Sequence, residues 1–144
     1  MRAMEISKTG LDIEWRRLEV IADNLANINT TRTAGGGPYR AMRLLSGPKA
    51  SFAGHLSEGD RVDADKLAGV AVYGLEPTAA PPRSVYEPDH PDADAKGYVA
   101  YPSVNHAEEM VLMVKTSRAY EANIVAMNIS RQMYAKALEL GKRS

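Results

Sequence analysis

Cysteine is absent from the 144 residues. Disulfides, thiolate metal sites and thiol nucleophiles are thereby excluded together. Neither charge is in excess, with 18 Lys and Arg against 18 Asp and Glu. A nucleic-acid binder carries a basic footprint, so that class is set aside. No apolar run of about eighteen residues occurs, so the sequence offers no membrane-spanning helix. The opening, MRAMEISKTGLDIEW, has no apolar h-region and predicts no ordinary cleavable signal peptide. Aromatic residues are 6%, with one Trp and one Phe, which is too few for a large β-sandwich core. Apolar residues nonetheless reach 44%, enough for the core of one ordinary domain at this length.

Proline is also absent from residues 104–144, and Gly141 is the sole glycine there. That stretch predicts one long helix, which spans roughly 55–60 Å at 1.5 Å per residue. Asn105 can cap its start, with Glu108 three residues on in the manner of a capping box. Glu108 and Glu109 also suit the positive end of the helix dipole. Gly141 suits the position just past the end, with Lys142 and Arg143 beside it. A seam runs through Met110, Met113, Ser117, Tyr120, Ile124, Met127, Arg131, Tyr134 and Leu138. A neighbouring row adds Val111, Val114, Val125 and Ile129. One partner helix cannot cover both rows, and each large side chain left in water forgoes about 1.5–3 kcal/mol. Other subunits are therefore expected to pack there.

A second helix is predicted over residues 4–29. Met4, Leu11, Leu18 and Leu25 recur every seventh residue, and Ile21 and Ile28 follow the last two by three. That is a heptad-like seam. Ile6, Ile13 and Val20 form a second row. This helix is the expected coiled-coil partner of the C-terminal one. Gly10 weakens it by about 1 kcal/mol relative to Ala. Asn24, Asn27 and Asn29 suit its C-terminal end, where short amides compete for backbone groups.

All 8 prolines and most of the glycines fall within residues 34–103. Short strands are expected at Val70–Tyr73, Arg83–Tyr86 and Tyr98–Tyr101, with a weaker one over Tyr39–Leu45. A mobile loop is expected near 46–65. The fold class is α+β: residues 1–33 and 104–144 form a discontinuous helical core domain, and 34–103 a small β-rich insert.

Candidate chemistry is thin. The run from Asp89 through His90, Pro91 and Asp92 to Asp94 looks like metal ligands. From Asp92, however, Lys96 falls where a calcium loop needs an oxygen ligand, and Ser103 falls where it needs Glu. A structural turn is the expectation, with a small metal-binding module as the alternative. His106 has no second His at zinc-helix spacing. Gly35, Gly36 and Gly37 are followed by no Lys-Ser/Thr, so they make no phosphate loop. Glu108 and Glu109 point about 100° apart on a helix and form no acid/base pair. No catalytic residue, metal ligand or cofactor is assigned, and the chain is not expected to be an enzyme.

Two stretches carry a resemblance. NLANINTTRT, with the GGGPYR that follows, includes Asn24, Leu25, Ala26, Asn27, Asn29 and Thr30. The second runs from Pro81 to Asn123, with VYEPDHPDADAKGYV and then SRAYEAN, which holds Tyr120, Glu121 and Asn123. Both are similar to the bacterial flagellar rod and hook axial proteins, the second more particularly to the proximal-rod branch. The similarity covers nearly the whole chain and is thinnest over 46–75. Asp89 stands where the family commonly has Gly. What the resemblance implies is a structural subunit of the flagellar basal body, polymerising through paired terminal helices to transmit torque. It implies export through the flagellar type III apparatus without signal cleavage, into a rod that crosses the periplasm. It implies as partners the rod proteins FlgB, FlgF and FlgG, the rod-base protein FliE, and copies of itself. The assembly interface is then expected on Leu11, Leu18, Ile21, Leu25, Ile28, Met110, Val111, Met113, Val114, Tyr120, Ile124, Val125, Met127, Ile129, Tyr134 and Leu138. Another rod or hook axial protein is the near alternative.

Overall fold

The computed structural model describes residues 2–49 and 68–142. Six elements follow in order: α1 (Arg2–Ala26), β1 (Met42–Pro48), β2 (Val70–Pro77), β3 (Arg83–Tyr86), β4 (Tyr98–Tyr101) and α2 (His106–Lys142). The fold is α+β, as expected, with strands between two long helices. Strands β1 and β2 make one two-stranded sheet, and β3 and β4 another. β3 and β4 occupy the expected residues. They pair antiparallel with Arg83 opposite Tyr101 and Tyr86 opposite Tyr98. Val99 is their buried member, at 0% exposure. Gly97 leads into β4 at φ 82°, where a Cβ would also meet the Tyr86 ring. That position needs glycine on both counts.

Boundaries differ from expectation in both helices and in the first sheet, where β2 runs on past Tyr73 to Pro77. α1 ends at Ala26, because Asn27 turns its carboxamide back onto the Asp23 carbonyl (2.9 Å) while accepting the Thr30 hydroxyl (3.1 Å). β1 starts later than expected and takes in Ser46, Gly47 and Pro48, which composition had assigned to the loop. The rest of the expected loop, residues 50–65, lies outside the described residues. α2 runs through Gly141 to Lys142 rather than stopping at a positive-φ glycine.

The helix segments pair antiparallel within each compact unit, Gly10 against Asn123 in one and Asn24 bonded to Glu109 in the other. Inward positions on α1 are Ile6, Gly10, Ile13, Arg17, Val20 and Asn24. Those on α2 are Glu109, Met113, Thr116, Tyr120, Asn123, Met127 and Ser130. Both sets advance by alternating threes and fours, the spacing of a coiled-coil seam. The packed row of α1 is thus the Ile13–Val20 row. Met4, Leu11, Leu18 and Leu25, the more obvious heptad, are only half-buried at its flank. On α2 the packed row is likewise shifted, with Met110 left exposed.

The chain divides into two compact units: Met1–Arg16 with Leu45–Gly74 and Thr116–Ser144, and Arg17–Leu44 with Leu75–Lys115. In the first, Gly10 lies against Asn123, and a Cβ on Gly10 would come within 2.9–3.1 Å of that carboxamide. The Trp15 and Tyr120 rings lie 6.2 Å apart. Thr9 accepts the Val70 amide (3.1 Å), fixing the start of β2 on α1. In the second unit, Val20, Ile21, Ala41 and Val99 are buried together with the polar Asn24 and Glu109.

Candidate assembly interface

Within the second unit, Asn24 near the end of α1 is fully buried. Its Oδ1 accepts the Met42 amide (2.9 Å) and the Tyr39 hydroxyl (3.0 Å). Its Nδ2 donates to the Met42 carbonyl (3.0 Å) and to Glu109 Oε2 (3.4 Å). The carboxamide therefore pairs with Met42 as a strand backbone would, and seats β1 on the helix. Glu109 is 1% exposed, and its other oxygen receives the Arg43 guanidinium at 2.5 Å. A buried carboxylate is tolerated only when paired and hydrogen-bonded in this way. Burial, followed by the charges of Asp23 and Glu109, raises the Tyr39 pKa above its ordinary 10.0. Asn27, Asn29 and Thr30 continue from Asn24 into the turn that ends α1.

The start of α2 follows its expected cap. Asn105 Oδ1 accepts the Ala107 and Glu108 amides at 3.0 and 3.3 Å. Glu108 reaches back to the Asn105 side-chain amide at 3.0 Å, in place of the backbone amide of a standard capping box.

The Asp89–Asp94 segment forms turns. Asp94 Oδ1 accepts the Lys96 and Tyr98 amides at 2.8 and 2.9 Å. Asp92 does not serve the turn amides; it takes the Thr31 hydroxyl at 2.8 Å and Arg32 at 3.4 Å. Among the described residues no three His, Asp or Glu side chains converge as a metal ion would need.

The residues expected at an assembly interface fall into three groups. Ile21 is 3% exposed and committed to packing inside its own unit. Leu11, Leu18, Leu25, Ile28, Met113, Tyr120, Ile124 and Met127 are half-buried. Ile28 lines a cleft with Pro102 and Val104. Met110, Val111, Val114, Val125, Ile129, Tyr134 and Leu138 are exposed. In the second unit Val111 and Val114, and in the first Val125 and Ile129, are between 50% and 56% exposed. Trp15, Met133 and Leu140 are exposed as well, and lie outside the interface set expected from sequence. Of the motif residues, Asn24 is internal, Asn123 covers Gly10, and Glu121 is exposed. Among the described residues no helix is long and apolar enough to cross a membrane.

Comparison with known proteins places these parts. A family model described as flagella basal body rod protein matches residues 4–32. A second, described as flagellar basal body rod FlgEFG protein C-terminal, matches residues 95–140. The flagellar basal-body rod protein FlgC of Borreliella burgdorferi is 39% identical, over 96% of this chain and 95% of the relative. FlgC of Bacillus subtilis is 37% identical over 97% of each chain. FlgC of Salmonella typhimurium is 34% identical over 99% of this chain and 98% of the relative.

The chain belongs to the FlgC family of flagellar basal-body rod proteins.

In this FlgC-family chain the two matched segments take in most of α1 and of α2. Asn24 comes from one and Glu109 from the other, while Tyr39, Met42 and Arg43 lie between them. The sequence assigned Glu109 only to the helix start, and its pairing with Arg43 went unnoticed because the two are 66 residues apart. One signal pointed to Glu109: it begins the row that continues through Met113, Thr116, Tyr120 and Asn123.

Proposed function

We propose that this chain is a structural subunit of the proximal rod of the bacterial flagellum. It polymerises through its terminal helices and transmits torque by side-to-side helix packing, with no turnover of substrate. The observation that carries this reading is the set of exposed apolar residues on α2, Val111, Val114, Val125 and Ile129. They stay in water although the inward seam of the same helix is filled. An exposed apolar patch of this kind marks a protein contact. The membership of the FlgC family supports the rod as the assembly in question.

In this reading residues 1–33 and 104–144 are the assembling helical core, and 34–103 the decorating insert. The half-buried leucines, Leu11, Leu18 and Leu25, extend the contact surface onto α1. Neighbouring rod and basal-body proteins are the partners, with FlgB, FlgF, FlgG, FliE and further copies of this chain as the specific ones. The chain reaches the rod through the flagellar type III export apparatus without signal cleavage. Near-full-length similarity to proteins named FlgC favours the proximal rod over another rod or hook position.

The test is Val125→Asp and Ile129→Asp in motile cells. Because both side chains are exposed, each change is expected to alter stability of the purified chain by no more than about 1 kcal/mol. Electron microscopy of basal bodies is expected to show rods missing, and swimming is expected to be lost. Normal rods in both strains would overturn the proposal. Asp92→Ala, which loses only the loop contacts to Thr31 and Arg32, is expected to leave rods intact.

A further inference from the structure

Every residue of α2 from Arg131 to Gly141 is exposed. The inward seam of α2 nonetheless continues through this segment in register. After Met127 and Ser130 it steps to Tyr134, Ala137 and Gly141, by fours and threes. At roughly 100° per residue, Leu140, Met133, Ala137, Tyr134 and Leu138 form one continuous stripe around the seam. Met133 and Leu140 are 67% and 69% exposed. The charges are sorted about that stripe. Lys136 borders one side, Arg131 borders the other, and the acidic Glu139 falls on the opposite face.

We propose that residues 131–141 of α2 dock one amphipathic helix of another subunit, with acidic residues flanking its apolar seam. This rests on the rod-subunit reading above and specifies the chemistry of one neighbour. The segment is continuous with the α1–α2 seam and keeps its spacing, so the fitting occupant is a helix laid along the line that α1 follows. The basic borders select acidic flanks, as complementary e and g positions do in coiled coils. They also disfavour the same segment of a second copy, since like charges would meet. An anionic lipid surface would satisfy the charge but has no use for a coiled-coil register.

The experiment uses the full chain and a labelled three-heptad helical peptide, with Leu along its seam and Glu on both flanks. The same peptide with Lys flanks is the control, alongside phosphatidylglycerol and phosphatidylcholine vesicles. Fluorescence anisotropy is expected to give about tenfold tighter binding of the Glu-flanked peptide at low salt, an advantage that shrinks as salt rises. The double variant Arg131→Glu/Lys136→Glu is expected to reverse the preference with an unchanged circular dichroism spectrum. Equal affinity for the two peptides, no binding of either, or an unreversed preference would overturn the proposal. So would tighter association with phosphatidylglycerol than with the Glu-flanked peptide. A chain that forms rods but shows no peptide preference loses this inference alone. A chain that shows the preference while Val125→Asp leaves rods normal loses the rod reading instead.

Discussion

Asn24 is fully buried, and its carboxamide is satisfied by four protein groups. Two belong to the Met42 backbone. Asn24→Leu takes the acceptor from that amide and leaves the carbonyl only the longer Arg43 contact at 3.4 Å, and a lost partner at a sheltered group costs about 1–3 kcal/mol. The variant is expected to lose about 2–4 kcal/mol in urea denaturation. Tyr39 adds a pH signature. Its folded pKa is raised by burial and by the nearby carboxylates, while the unfolded value is the ordinary 10.0. The unfolded state therefore releases the proton first as pH rises, and stability falls above pH 10. That contribution is fully present below the unfolded pKa. Tyr39→Phe is expected to flatten part of the alkaline decline. The remaining slope includes Tyr101, whose hydroxyl bonds Glu87 at 2.9 Å and whose pKa is also raised. Stability measured between pH 9 and 11.5 in both proteins checks this, and identical alkaline slopes would refute it.

At the scale of elements, Gly10 shows why the pairing seam was only partly legible. Propensity alone marks it as a weak point of α1 worth about 1 kcal/mol. In the folded chain the Asn123 side chain lies against it, and a Cβ would stand 2.9 Å from Asn123 Oδ1. Asn123 is held on its own helix by a 3.1 Å bond to the Ala119 carbonyl, so it yields only by breaking that bond. Gly10→Ala is accordingly expected to gain nothing, or to destabilise by up to about 1 kcal/mol. In an Asn123→Ala background the same change is expected to stabilise by about 1 kcal/mol, because only the propensity gain remains. Additive effects across the four proteins would contradict the contact. Hydrophobic periodicity passes over Gly10, Arg17 and Asn24 because they are not apolar, and so it favours the leucine row. These three residues are what complete the packed row with Ile13 and Val20. The short strands were easier to read. Pro81 and Pro82 precede β3, and Gly97 and Pro102 bracket β4 within the chain's own order. The polar anchor of Asn24, Arg43 and Glu109 was not legible, since its members share no local pattern. Its hydrogen bonds exist only once α1, β1 and α2 have come together.

On the rod-subunit proposal the whole molecule is complete only in its assembly, and the exposed part of α2 gives that proposal a measurable form. An isolated helical segment shorter than about 12–15 residues is marginal in water. Residues 131–141 are exposed on every side, so their backbone bonds lack the packing that protects the earlier turns. In the free chain, amide hydrogen exchange is expected to be slow around Glu109–Thr116, where both side chains are buried, and fast from Arg131 onward. The Asn105 cap adds about 1 kcal/mol at the start of α2, which steepens the same gradient. Once the chain is built into a rod, residues 131–141 are expected to become as protected as the first turns, because subunit contacts supply the missing cover. The free chain is expected to be monomeric or weakly associated at micromolar concentration, and sedimentation checks this independently of exchange. Strong protection through residues 131–141 in a proven monomer would mean that α2 needs no neighbour to be stable. The exposed stripe would then have to be explained without an assembly.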